Sequence, residues 1–246
     1  MTAYIYDNIN DKFEDGLKEI MGNSQVKRVD FCVGYFNLRG WERIVDYIDD
    51  LQGDWVDEGK DSEKREYRYC RLLIGMNRSY TDLIKQVYGN DHKRLDNDYV
   101  VKSKRLIAQE FRRQLVLGNP DKKSENTLRR LSQQMKDKKV CVKLYLNGQL
   151  HAKLYLAYRP DDRHHPADVI MGSSNLTFPG LNGQGELNAP FYDRVYTDIL
   201  VPWFNDRWNE RLCIDITDDL IDAIDNSWAG PTVIPPYYIY LKTAFY

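Results

Sequence analysis

The chain is poor in the features that would set it apart from ordinary globular proteins. Its 246 residues include only four cysteines, Cys32, Cys70, Cys141 and Cys213, with no CxxC spacing among them. That speaks against a zinc site, and a disulfide framework is not expected in a chain of this length. No apolar run approaches the ~18 residues that a membrane span needs. The opening Met-Thr-Ala-Tyr-Ile-Tyr-Asp has no basic n-region and no apolar stretch, so no secretory signal is read there. HExxH, paired-Asp and Cys/His-cluster motifs are missing, as are internal repeats and low-complexity linkers. Net charge is almost absent, at −2, while 42% hydrophobic and 29% charged residues exclude fibrous and fully disordered classes. These absences point to one reduced, cytoplasmic α/β domain with no membrane partner and no metal or cofactor.

The small net charge hides an uneven distribution. Between Val101 and Lys139 stand twelve lysines and arginines against four acids. Asp46–Glu66 and the last quarter of the chain supply the compensating acid. A charged helical stretch is commonly only a solvated face. The functional reading is a phosphate-attracting wall beside an active site, with Arg112, Arg113, Arg129 and Arg130 as candidate nucleic-acid contacts.

Periodicity gives a sequence of short elements. Asp11–Met21 reads as a helix with Asp11 and Glu14 spaced as a capping box. Val26–Phe36 reads as a strand, and Asn37 caps a helix whose Trp41, Ile44, Val45, Ile48 and Leu51 face inward. Gly53–Arg65 reads as a polar loop, Tyr67–Ile74 as a strand and Thr81–Tyr88 as a helix. Basic helices are expected at Val101–Leu117 and Glu125–Lys136. A strand from Val140 reaches Asn147-Gly148, a hairpin turn signal, and returns over Gln149–Tyr158. After a polar loop at Arg159–Ala167 come a strand at Val169–Ser173 and another at Glu186–Ala189. The last helix, Val195–Trp208, is expected to turn Ile199, Leu200, Trp203, Phe204 and Trp208 inward and to be perturbed by Pro202.

The chemistry is concentrated in His151-Ala152-Lys153-Leu154-Tyr155-Leu156 and Gly172-Ser173-Ser174-Asn175-Leu176-Thr177. Residues two apart on a strand share a face, so His151 and Lys153 project together while Ala152, Leu154 and Leu156 pack on the other side. A neutral imidazole can attack phosphorus, and an ammonium beside it can hold the non-bridging oxygens. Ser173 and Asn175 offer a hydroxyl and an amide at the end of a second strand, suited to an oxyanion. Glu186 follows in a Gly-rich turn and is suited to orient an imidazole. Taken singly, a His beside a Lys is commonly structural and Ser-Ser-Asn is commonly a turn or a cap.

Together these residues resemble the phospholipase D superfamily, whose signature is His-x-Lys with a downstream Gly-Ser-x-Asn. Gly34-Tyr35-Phe36 with Leu38-Arg39-Gly40-Trp41, then HAKLYL, GSSNLT and Gly185-Glu186-Leu187-Asn188, is similar to the phospholipase D-like nuclease domains at the N-termini of bacterial helicase-type proteins. The resemblance implies a mixed central β-sheet flanked by helices over residues 1–230, with 101–139 as a basic helical insertion. It implies that His151 is the nucleophile, Lys153 a phosphate ligand, Ser173 and Asn175 the second half-motif, and Glu186 the acid that supports a histidine. Residues 231–246, rich in Pro and Tyr, look like a junction to a downstream helicase module. One position departs from the pattern: the aspartate expected five residues after the lysine is Tyr158.

The function implied is metal-independent hydrolysis of nucleic acid, DNA in preference to RNA, through a phosphohistidine. The alternatives are a lipid-acting relative and a non-catalytic nucleic-acid-binding module. Only one His-x-Lys occurs in the chain, and His92, His164 and His165 have no lysine two residues on. In-line displacement needs an acid opposite the nucleophile, so a two-fold homodimer sharing the site is expected.

Overall fold

Short apolar runs bounded by turn formers assemble into one large sheet. The computed structural model describes residues 5–58, 64–75, 122–147 and 150–230. In chain order these form helix α1 (Phe13–Met21), strand β1 (Arg28–Val33), helices α2 (Leu38–Trp41) and α3 (Val45–Asp50), and strands β2 (Asp54–Glu58), β3 (Lys64–Arg68) and β4 (Cys70–Ile74). Helix α4 (Lys122–Lys136) follows, then strands β5 (Val140–Tyr145), β6 (Leu154–Tyr158), β7 (Ala167–Gly172) and β8 (Asn188–Phe191). Helix α5 (Arg194–Trp208), strand β9 (Cys213–Asp215) and helix α6 (Thr217–Asp225) complete them. The sheet order is β8-β7-β6-β1-β4-β5-β9, and β2 with β3 forms a separate ribbon. β1, β4 and β5 are parallel, and every other neighbour in the sheet is antiparallel.

Central strands are covered on both faces, which is why β1 and β6 are buried at every position. Val29, Phe31, Val33, Tyr155 and Ala157 face a core closed by α1, α2, α3, α4 and α6. Cys32, Leu154, Leu156 and Tyr158 face α5 through Phe204 and Trp208. The result is a mixed α/β sheet flanked by helices, the class expected. Among the described residues no helix is long and apolar enough to cross a membrane.

Several local expectations are corrected. The Asn147-Gly148 signal does not make a hairpin, because β1 and β4 lie between β5 and β6. β6 finds partners on both edges in β1 and β7, and the Asn147 side chain bonds Glu210 instead. The polar stretch 53–65 is not all loop: β2 and β3 pair there, with Trp55 opposite Tyr67 and Arg68 forked onto Glu58 at 2.8 and 2.9 Å. α1 starts at Phe13, and its first N–H is capped by Asn8 Oδ1 at 2.9 Å rather than by a box from Asp11. Pro202 sits inside α5 without ending it, and Ile199 is 60% exposed rather than inward. The last expected strand runs over Asn188–Phe191 instead of Glu186–Ala189. The helices expected at 81–88 and 101–117, Arg112, Arg113, His92 and the tail 231–246 lie outside the described residues.

Asp30 is fully buried in the α5 layer. Arg71 grips it at 2.8 and 2.5 Å, and Arg28 reaches it at 2.9 Å. Arg71 also donates to Asn205 at 2.8 Å and lies over the rings of Phe204 and Trp208. Burial alone would push the Asp30 carboxyl up; Arg71 and then Arg28 outweigh it and hold it below the ordinary carboxylate range. The Arg28 guanidinium covers the Tyr158 ring, 3.3 Å from its centroid. Thus at the position where the resemblance expects an aspartate there is a ring, and the buried carboxylate stands on the next strand.

Removing one partner of a buried ion pair strands the other charge. Asp30→Ala is therefore expected to cost about 3–5 kcal/mol in chemical denaturation. Asp57→Ala, which breaks the exposed Arg65–Asp57 pair, should cost less than about 1 kcal/mol.

Candidate active site

Strand register places the motif at one end of the sheet. β6 is antiparallel to both β1 and β7, with Cys32 opposite Leu154 and Leu154 opposite Met171. The approach to β6, which carries His151 and Lys153, therefore meets the exits of β1 and β7. Gly172 in turn faces Asn188, so the turn carrying Glu186 arrives at the same end. β6 begins at Leu154, and His151 and Lys153 precede it; Leu154 and Leu156 pack toward α5 as the alternation requires.

The close meeting point is Gly34, just beyond β1. A methyl group there would lie 3.3 Å from Asn175 Oδ1, 3.3 Å from the His151 ring and 3.5 Å from Lys153 Nζ. Only a residue without a side chain leaves that space open. Asn175 Oδ1 accepts the Tyr35 N–H at 3.0 Å, which turns the amide nitrogen of Asn175 away to act as a donor.

Lys153 is 3% exposed. Its Nζ lies 2.8 Å from the His151 carbonyl oxygen and 2.9 Å from each imidazole nitrogen. A neutral imidazole has one ring lone pair to offer, so the ammonium satisfies one N–H there, one at the carbonyl, and retains a third. Partial desolvation of the ring, and then the Lys153 charge, push the His151 pKa below its ordinary value. Burial lowers Lys153 as well, opposed by the charge of Glu186. The ring is thus held neutral beside a cation.

Ser173 Oγ donates to Glu186 and accepts the Leu187 N–H at 2.9 Å. Glu186 therefore bonds the serine hydroxyl, and the contacts of His151 are with Lys153. The structure brings His151, Lys153 and Asn175 together and sets Ser173 with Glu186 beside them. Arg129 and Arg130 are partly exposed and each has partners within the chain. Arg130 bridges Asp46 and Asp49 at 2.7 and 2.5 Å, while Arg129 pairs with Glu125 at 2.6 Å and donates to the Ala229 carbonyl at 3.1 Å. Among the described residues no group of three or more His, Cys, Asp or Glu could hold a metal ion.

Sequence reasoning gave no role to Gly34, Ser174, Tyr155 or Asn188. Ser174 is fully buried and locks the loop: its carbonyl accepts Tyr155 Oη–H at 2.8 Å, its hydroxyl donates to the Gly180 carbonyl at 2.7 Å, and Asn188 bonds both its N–H and its Oγ. A lone glycine closing a strand pattern was the available signal for Gly34. The partners of Ser174, Tyr155, Gly180 and Asn188, stand at no regular spacing from it and left none.

No family model and no curated protein matches the chain. The chain is similar to a solved structure, the crystal structure of phosphatidylserine synthase from Haemophilus influenzae Rd KW20, with a TM-score of 0.45 at 11% identity. The match covers 85% of this chain and 38% of that one, so the chain spans well under half of its length.

The depressed pKa of His151 gives a test that needs no substrate. Its NMR titration should have a midpoint below 6.5. In Lys153→Met the midpoint should rise, because removal of the cation favours imidazolium. An unchanged midpoint in that variant would separate the two groups.

Proposed function

We propose that the chain is a phosphodiester hydrolase that acts on nucleic acid through a phosphohistidine. The observation that carries this reading is the convergence of His151, Lys153 and Asn175 on the space above Gly34. A neutral ring, a buried cation with an N–H to spare and an amide aimed by the Tyr35 N–H form a set suited to a phosphate. An anionic oxygen is a stronger acceptor than an imidazole, so a bound phosphate draws the ammonium off the ring and frees its lone pair. The ring nitrogen then attacks phosphorus, and the P–O bond to the leaving group breaks as that oxygen takes a proton from an acid on the far side. Water, giving its proton to the group that served as acid, releases the phosphate from His151. Lys153 and Asn175 hold the non-bridging oxygens throughout.

Nucleic acid as substrate is supported by the wording of the motifs and by the basic stretch 101–139. The full set of His151, Lys153, Ser173, Asn175 and Glu186 favours catalysis over a binding-only module. Wild-type protein should cleave DNA in EDTA, with RNA and single-stranded substrates run in parallel to define preference. His151→Ala should lose at least about a thousandfold in rate and keep its fold, since His151 is exposed and adds little to the core. Activity surviving that change, or strict dependence on Mg²⁺, would contradict the mechanism.

The acid on the far side is assigned to His151 of a second subunit related by a two-fold axis. An exposed apolar surface supports this. Met171 and Leu187 (62% exposed) flank the site, and Val195 (59%), Tyr196 and Ile199 (60%) continue it along α5. Phe191 joins the two parts by packing on Tyr196 at 4.5 Å. A neutral apolar face is self-complementary, as a two-fold contact requires. Heterodimers of wild type with His151→Ala should lose most of their activity; retention of half would place a complete site in each subunit.

A further inference from the structure

The second half-site is held by residues far from it in sequence. Ile5–Asn8 runs beside the entrance to β8: Tyr6 and Asn188 exchange both backbone hydrogen bonds, at 2.8 and 3.0 Å, and Glu186 N–H reaches the Asp7 carbonyl at 3.3 Å. Asn8 is 5% exposed and has φ of 62°, a left-handed conformation that asparagine tolerates better than most residues. Its amide is fully used. Nδ2 donates to the Gly180 carbonyl at 2.8 Å and to the Gln184 carbonyl at 2.9 Å, and Oδ1 caps α1 at Phe13 N–H.

The Gly180 carbonyl is shared. It accepts Asn8 Nδ2 on one side and Ser174 Oγ–H, at 2.7 Å, on the other. Ser174 lies between Ser173 and Asn175, the two members of the half-motif. Asn188 closes the ring, donating to Ser174 Oγ at 2.8 Å and to the Tyr6 carbonyl at 3.3 Å. The His151 and Lys153 side chains have no bond into this network; β6 meets it through the Tyr155 hydroxyl on the Ser174 carbonyl, at 2.8 Å, and through the Lys153 carbonyl, which accepts the Gly172 N–H at 3.2 Å.

We infer that Asn8 is a positioning residue for the phosphate site, acting through the Gly180 carbonyl and Ser174 to fix Ser173 and Asn175. This rests on the proposed function, which makes Asn175 a phosphate ligand with Ser173 beside it. Asn8 touches none of the reacting groups. It ties the first helix to the loop that carries the second half-motif, a hold additional to the bonds from β6 and one that reaches neither the His151 nor the Lys153 side chain.

Asn8→Gly removes the amide while keeping the left-handed backbone accessible, and Asn8→Asp keeps the helix cap while removing the donor. Three measurements apply to each variant and to wild type: hydrogen exchange across 173–188, affinity for inorganic phosphate, and the rate at which diethyl pyrocarbonate modifies His151. The expected result is faster exchange in 173–188, phosphate affinity weakened about tenfold or more, and unchanged modification of His151. Should Asn8→Gly not fold, Asn8→Asp carries the test. Unchanged exchange would overturn the tie itself. Faster exchange with unaltered phosphate affinity, or His151 reactivity moving in step, would reduce Asn8 to a structural residue and overturn the positioning role. Failure of the proposed function looks different: wild type itself would bind no phosphate.

Discussion

A lysine ammonium held almost out of water, with no carboxylate in contact among the described residues, is the constraint around which the rest of the site is arranged. Burying a cation is costly unless it is paired. Lys153 meets that cost only in part, through a carbonyl oxygen and a ring nitrogen of His151. Glu186 contributes its field from a distance while bonding Ser173. The remaining demand for negative charge is directed into the space above Gly34, and an anion placed there would satisfy it. Desolvation, and then the same ammonium, lower the imidazole pKa and favour the neutral form that a nucleophile requires. One placement thus sets both the ligand and the reactive state of its neighbour.

Contrast the other buried cation at the centre of the sheet. Arg71 is fully buried and its charge is paired, with Asp30 on Nε and Nη2 and Asn205 on Nη2, while Nη1 has no hydrogen-bond partner. Its surroundings are the rings of Phe204 and Trp208 and the second guanidinium of Arg28, and it belongs to the packing of α5 on the sheet. Two buried cations, Arg71 on β4 and Lys153 on the approach to β6, therefore have opposite uses. Arg71 and Asp30 close their charges on each other, whereas Lys153 is left partly open at the sheet end. Tyr158 fits this division. A carboxylate is already present at Asp30, and the aromatic ring beneath Arg28 fills the space that a second acid would have occupied next to it.

Much of the site was legible because it is local in sequence. The two-residue spacing of His151 and Lys153, the end of a strand at Gly172 and the cap at Asn37 all follow from short-range rules, and Asn37 Oδ1 does accept the Gly40 N–H at 2.9 Å. What was not legible is long-range. Asn147-Gly148 is a strong turn signal, yet nothing in it shows that β6 would pair with β1, more than a hundred residues earlier, instead of with β5. Charge-rich β2 and the first residues of β3 fell in the stretch read as a loop, while Tyr67 and Arg68 read as the start of the following strand; the pairing of β2 with β3 rests on cross-strand contacts such as Arg68 with Glu58. The partners of Arg130, Asp46 and Asp49, and the Ala229 carbonyl that Arg129 reaches come from other elements and could not be read from the basic stretch. Helix α5 read as one-sided, but its apolar residues lie on both faces, with Phe204 and Trp208 buried and Val195 and Ile199 exposed.

The central claim is that the His151 ring nitrogen bonds phosphorus. The direct measurement is rapid quenching of the protein during turnover of a phosphodiester with a good leaving group, followed by peptide mass analysis under alkaline conditions. The account predicts a phosphoryl adduct on the peptide containing His151, stable in base and lost in acid as a phosphorus–nitrogen bond requires. Steady turnover with His151 unmodified at every quench time, or an adduct on any other residue, would contradict it.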